Sequence, residues 1–189
     1  EKPVKIGTLN ANGDFEINLS VNPTEKLSEE ERELYISNLS YGFQYVCGNP
    51  GDFPEGEAKI ASSAQHIALW ADNTWAGVLF PVSDLKLQLW MEDNGFNDAV
   101  EGSFYQVLLV TEDVNLQKKC TNFDYYNDED IEVNVEYDLK LKKGLNLIAY
   151  QLESVYKTNP DIRASFPKKI RMTNAGDNPK IMWIAKYFF

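Results

Sequence analysis

The chain predicts a mainly β fold, an antiparallel β-sandwich with one short helix near the N-terminus, and three observations carry that expectation. The run Ile131-Glu-Val-Asn-Val-Glu-Tyr-Asp-Leu-Lys-Leu141 alternates apolar and polar residues without a break. Side chains alternate across a strand, so Ile131, Val133, Val135, Tyr137, Leu139 and Leu141 share one face, the arrangement of a half-buried antiparallel sheet. As a helix the same residues would form two opposed stripes and bury badly. Short apolar segments also recur at regular spacing with turn residues between them, which suits a sandwich better than a βα fold. Ten Phe, ten Tyr and four Trp make an aromatic-rich set typical of strands, most of it needed to fill the core.

The elements follow in order. Val4–Thr8 is a short strand, Asn12-Gly13 signals a two-residue hairpin, and Asp14–Leu19 is the partner, with Phe15, Ile17 and Leu19 pointing inward. Asn22-Pro23 ends it. Ser28-Glu-Glu-Glu31 fits a capping box, and Leu34, Tyr35, Ile36 and Leu39 give a helix at about 29–38 something to bury. Its acidic first turn suits the positive end of the helix dipole. Three glycines and two prolines in 48–56 exclude regular structure there. Strands are expected near 57–62, 66–71, 76–81, 84–91, 103–112, 114–120, 130–142, 145–155, 168–173 and 180–188. Lys142-Lys-Gly-Leu145 makes the long alternating strand one arm of a hairpin, with Leu145–Ser154 as the other, more central arm. The whole, 1–189, reads as one sandwich-like domain, with two lobes divided near 48–56 as the alternative.

Composition bounds the function. A net charge of −11 repels a phosphate backbone, so nucleic acid is not an expected partner. The basic cluster Lys168-Lys-Ile-Arg171 reads as the solvated face of a strand. No run of about 20 apolar residues exists to span a membrane. Cys47 and Cys120 lack metal-ligand spacing; a disulfide in an oxidising compartment and two buried thiols are both open.

No catalytic motif is evident. His66, the single histidine, lies in a strand-like segment, and there is no Gly-x-Ser-x-Gly elbow. With 29 acidic residues, a glycosidase-like carboxylate pair can arise by chance and carries no specificity. Two oxygen-rich loops, 92–98 and 127–130, could supply hard ligands to calcium, with Asp93, Asp98, Asp128 and Asp130 the first candidates. Neither has EF-hand spacing, and solvated acidic turns explain both. Carbohydrate is the more informative ligand class, because sugar rings stack on exposed aromatic faces while Asn and Asp bind hydroxyls. Trp70, Trp75, Trp90, Tyr125 and Tyr126 are the candidates. Trp75 leads, because Asp72-Asn-Thr-Trp-Ala-Gly77 looks like a turn where an indole is hard to bury. Trp183, in Ile-Met-Trp-Ile, reads as core.

Ile6-Gly-Thr with Asn12-Gly-Asp-Phe15, then Leu108-Leu-Val-Thr-Glu-Asp-Val114, then Leu139-Lys-Leu-Lys-Lys-Gly-Leu-Asn-Leu-Ile148 together resemble uncharacterised secreted proteins and lipoproteins of the Bacteroides type. That group often shows Leu-x-Lys-Gly-Trp-Asn in the last hairpin, where this chain has Leu145. The resemblance covers the first ~20 residues and about 105–152, and its motifs are structural. It implies a β-sandwich, export, and a membrane tether through a lipidated cysteine upstream of Glu1; it transfers no site residues. A chain opening at Glu1 without methionine fits a mature domain whose export signal has been removed. The expected function is a non-enzymatic secreted or cell-envelope protein, periplasmic or surface-exposed, that binds a glycan or a protein partner without a cofactor. A structural or assembly subunit pairing through strand edges is the alternative, and a glycoside hydrolase-like enzyme the minor one.

Overall fold

The computed structural model describes residues 5–22, 24, 27–31, 36–48, 53, 59–64, 67–126, 129–157, 165–176 and 180–188. The fold is mainly β and sandwich-like. Twelve strands occur among the described residues: β1 (Gly7–Leu9), β2 (Phe15–Ile17), β3 (Ser37–Asn38), β4 (Lys59–Ala64), β5 (Ile67–Ala71), β6 (Thr74–Val82), β7 (Gly102–Val110), β8 (Val114–Tyr126), β9 (Glu129–Leu141), β10 (Gly144–Lys157), β11 (Ser165–Asn174) and β12 (Met182–Tyr187). β1 and β2 form a hairpin of their own. The other ten share one sheet, whose main path runs β12-β6-β7-β10-β11-β9-β8.

The sheet divides at β7. One edge of β7 pairs with β10 along its length, while β4 takes the other edge near Val107–Val110 and β6 touches it only at Val82↔Phe104. Beyond that single pair β6 runs with β5 and β12, making a three-stranded wing. Val78, Phe80 and Val82 of the wing join Phe104, Leu108, Ile148, Tyr150, Ile170, Met172 and the whole apolar face of β9 in one continuous core. All six predicted inward residues of β9, Ile131 to Leu141, are buried.

Residues 36–48 cover this core without pairing as a long strand. A 3-10 turn at Leu39–Gly42 buries Leu39, and Phe43 and Cys47 follow it inward. An irregular segment has backbone polar groups that no ladder satisfies, and the sheet supplies side chains for them. Gln106 Nε2 donates to Gly42 O (2.9 Å), Asn122 Nδ2 to Val46 O (2.6 Å), and the Tyr137 hydroxyl to Tyr45 O. In return Gln44 N donates to the Tyr150 hydroxyl (3.3 Å) and Cys47 N to the Tyr137 hydroxyl (3.2 Å). A Cys47–Cys120 disulfide ties the segment to β8, which resolves the alternatives left open for the two cysteines.

Several expectations need correction. The strand expected at 84–91 is an α-helix, α1 (Leu85–Glu92). Leu-Lys-Leu-Gln-Leu-Trp alternates like a strand, yet it contains no β-branched residue, and Leu, Lys, Gln, Met and Glu all favour helix. Asp84 starts it as N-cap, accepting from Lys86 N at 2.8 Å. Leu87 and Trp90, three apart, are the pair it buries. The helix expected at 29–38 is helical at 29–31 and closed by the predicted box, Ser28 N donating to Glu31 Oε2 and Glu31 N to Ser28 Oγ. Residues 32–35 lie outside the described set, and Ser37–Asn38 is strand. The opening hairpin turns through Ala11–Gly13 rather than two residues: Asn10 and Asp14 pair across it, and Gly13 takes a φ of 89°. Phe15 is largely exposed and meets Trp183 edge-on at 5.0 Å, and Trp183 itself is half-buried rather than core.

The most consequential correction concerns β9 and β10. The turn at Lys142–Lys143 exists, held by Asn146, which accepts from Lys142 N and donates to Lys142 O. The two strands nevertheless do not pair with each other. β11 enters between them, antiparallel to β10 and parallel to β9, the one parallel pair among the described residues. Its end is pinned near the turn, with Asn174 bonded to both the N–H and C=O of Lys140. Most of the 48–56 loop and His66 lie outside the described residues.

Candidate functional site: an aromatic platform on the three-stranded wing

β5 and β6 meet in a tight hairpin whose central residues, Asp72 and Asn73, have φ of 48° and 64°. Positive φ at both places marks a type I′ turn, the connection whose twist matches that of the strands, and Asp and Asn tolerate it better than other side-chain-bearing residues. The predicted turn at 72–77 is therefore shorter, and Trp75 is already in β6. Trp70 lies directly opposite Trp75 in the register, so both indoles rise from one face. They are 50% and 51% exposed.

The floor beneath Trp75 is Gly77. The indole N–H donates to Gly77 O at 2.9 Å. A Cβ on Gly77 would stand 2.3 Å from the carbonyl oxygen of Lys186, so β12 approaches too closely for any side chain there. That approach brings in the end of the chain. Tyr187 pairs with Gly77, and Phe188 N donates to Ala76 O at 2.9 Å. Phe188 meets Trp75 edge-on with ring centroids 4.9 Å apart. Tyr187 and Phe188 are 48% and 46% exposed. Trp70, Trp75 and Phe188 thus present half-exposed aromatic surface beside the turn residues Asp72, Asn73 and Thr74, while Tyr187, the strand neighbour of Phe188, points to the other face. Edge-to-face ring contact is the favoured arrangement for aromatic pairs, and it holds these rings while leaving much of their surface to solvent.

The other candidates do not join the platform. Trp90 is only 4% exposed, buried on α1 against Phe104, and is removed from any binding surface. Tyr125 and Tyr126 stand at the far end of β8, opposite Asp130 and Glu129, in a different part of the sheet. Asp93 is the C-cap of α1; its carboxylate accepts from Gly95 N, and its carbonyl from Asn97 N. Asp98 and Asp130 are exposed, and Asp128 lies outside the described residues. Among the described residues, no three His, Cys, Asp or Glu converge to hold a metal ion.

The basic cluster is tied up by acidic neighbours. Lys169 meets Glu153 at 2.6 Å and Arg171 meets Asp138 at 2.9 Å. The hydrogen bond from Arg171 holds the Asp138 carboxyl below the usual carboxylate range, and donation to the Glu153 carboxylate raises Lys169. Tyr187 and Phe188 escaped the sequence reading because they sit in an apolar terminal strand. Their exposure depends on which strand β12 joins. Among the described residues no helix is long and apolar enough to cross a membrane. No protein family, curated protein or solved structure matches the chain.

Proposed function

We propose that this chain is a non-enzymatic binding protein of the secreted or cell-envelope class, and that it takes a glycan on the platform formed by Trp70, Trp75 and Phe188. The observation that carries the reading is the cross-strand tryptophan pair, half-exposed and held in place by a type I′ turn and by Phe188. A preformed aromatic surface loses little side-chain entropy on binding, and sugar C–H faces stack on such rings while Asn73 and Thr74 offer polar partners at its edge. The disulfide supports export, since such bonds persist in oxidising compartments. The resemblance to Bacteroides-type secreted proteins and lipoproteins points the same way and carries the proposed lipid tether upstream of Glu1.

Affinity electrophoresis against soluble polysaccharides, run with calcium and with chelator, tests this. Trp75→Ala and Trp70→Ala are each expected to weaken a detected interaction about tenfold or more, a loss of roughly 1.4 kcal/mol or above. An affinity unchanged in both variants would remove the platform from the function. Calcium dependence would instead direct attention to the acidic loops.

A second reading, assembly through a strand edge, is favoured by β8. This 13-residue strand pairs only with β9 among the described residues, and its Phe123 is 68% exposed. Long exposed edges invite another strand. Sedimentation showing a monomer at all concentrations, with no partner recovered from envelope extracts, would set it aside.

A further inference from the structure

We infer that the platform is selective for neutral glycans and excludes acidic ones such as polyuronates and sulfated chains. This rests on the glycan reading above and adds the charge class of the ligand. From Ile67 to Val82, the two strands and turn that carry both tryptophans, the only charged residue is Asp72, and it is exposed in the turn. The third strand, β12, has a single cation, Lys186. It stands two residues before Phe188, on that residue's face of the strand, and Glu92 holds its ammonium at 2.7 Å. The one cation of these three strands is therefore already engaged by a carboxylate, which opposes its pairing with a carboxylate or sulfate of a ligand. Recognition of such groups calls for Arg or Lys, whose ionic hydrogen bonds are the strong ones.

The wider field acts in the same direction. A net charge of −11 repels a polyanion at long range. In the basic cluster on β11, Lys169 is engaged by Glu153, and Arg171 by Asp138 and Glu136. What remains on the platform is aromatic surface for C–H faces, amide and hydroxyl groups for sugar hydroxyls, and one negative charge at its rim. That set matches an uncharged hexose or pentose polymer.

The test compares a neutral polymer, glucomannan or xylan, with polygalacturonate and heparin, measured at about 20 mM and about 500 mM NaCl, a range over which screening shortens from tens of ångströms to a few. Neutral-polymer affinity is expected to be the same at both salt concentrations and to fall in Trp75→Ala. Acidic-polymer affinity is expected to be at least about tenfold weaker at low salt, with the gap closing as salt rises. Asp72→Asn, which keeps a residue suited to positive φ, is expected to narrow the low-salt gap, and an unchanged gap would overturn the part given to Asp72. Acidic polymers binding most tightly at low salt, or equally with neutral ones, would overturn the charge selectivity while leaving the platform. Absence of binding to every polymer would overturn the glycan reading and this inference with it, as would partition onto neutral phosphatidylcholine vesicles alone.

Discussion

Gly77 is the residue on which the platform turns. Its missing side chain lets β12 approach β6, which places Phe188 against Trp75. The atoms that a Cβ would meet belong to the backbone of Lys186 and Tyr187, so they have no rotamer by which to give way. Gly77→Ala should therefore displace the end of β12, at a cost of about 1–3 kcal/mol. For a chain of this size that lowers the melting temperature by roughly 2–10 °C, measurable by calorimetry. Binding should fall along with stability, because Phe188 and its contact with Trp75 depend on the same approach. A variant that melts and binds like wild type would mean that the strands part without consequence. Trp70 and Trp75 were legible in the sequence because Asp-Asn beside two tryptophans marks a turn with indoles too large to hide. Trp90 was misjudged for a local reason. In a strand it would have alternated outward or inward with its neighbours; in α1 it shares a buried stripe with Leu87.

At the scale of elements, the 36–48 segment is the part most dependent on individual bonds. It covers the core through side-chain hydrogen bonds and one disulfide instead of a ladder. The Tyr137 hydroxyl serves two of its backbone groups at once, Cys47 N–H and Tyr45 C=O. Tyr137→Phe keeps the ring against Phe43 and Phe53 but strands both groups. A loss of about 2–6 kcal/mol is expected in denaturant titration, from roughly 1–3 kcal/mol for each of the two unsatisfied groups. The disulfide closes a loop across a sequence separation of 73 residues. The chain-entropy estimate for such a loop is about 4 kcal/mol. Reduction, or the paired change Cys47→Ser with Cys120→Ser, should lower the melting point by roughly 10 °C. Equal melting curves with and without reductant would contradict this.

Across the whole molecule, three tyrosines lie where cover and sheet meet, and burial raises all of them above the ordinary value of 10.0. For Tyr45 the nearby Asp124 adds to the effect, and for Tyr137 the hydrogen bond from Cys47 N opposes it. The folded state thus holds these protons when the unfolded chain would release them. Stability is full below pH 10 and falls as pH rises from there, by about 1.4 kcal/mol per pH unit for each fully buried tyrosine. Tyrosinate absorbance and circular dichroism should therefore change together in one alkaline transition. Separate transitions, with ionisation first, would show that the cover opens on its own. On the acid side, hydrogen bonds from Lys142 and Arg171 lower Asp113 and Asp138. Their contribution is present above the usual carboxylate range and is lost as pH falls through their lowered values. Asp113 is exposed and Asp138 partly exposed, so that change should be shallow.

What the sequence by itself determined was local: the alternation that assigns each residue of β9 to a face, the Ser28–Glu31 box, a turn within 72–77 and another within 142–145, and from these a mainly β sandwich. Each depends on residues within a few positions of one another, where periodicity and turn chemistry act directly. Only the tertiary structure decided that β11 separates β9 from β10, that 85–92 coils rather than extends, and that the chain's end lies beside Trp75. Those outcomes are settled by burial against distant partners. A strand's pattern states that one face must be covered, but it does not state by what.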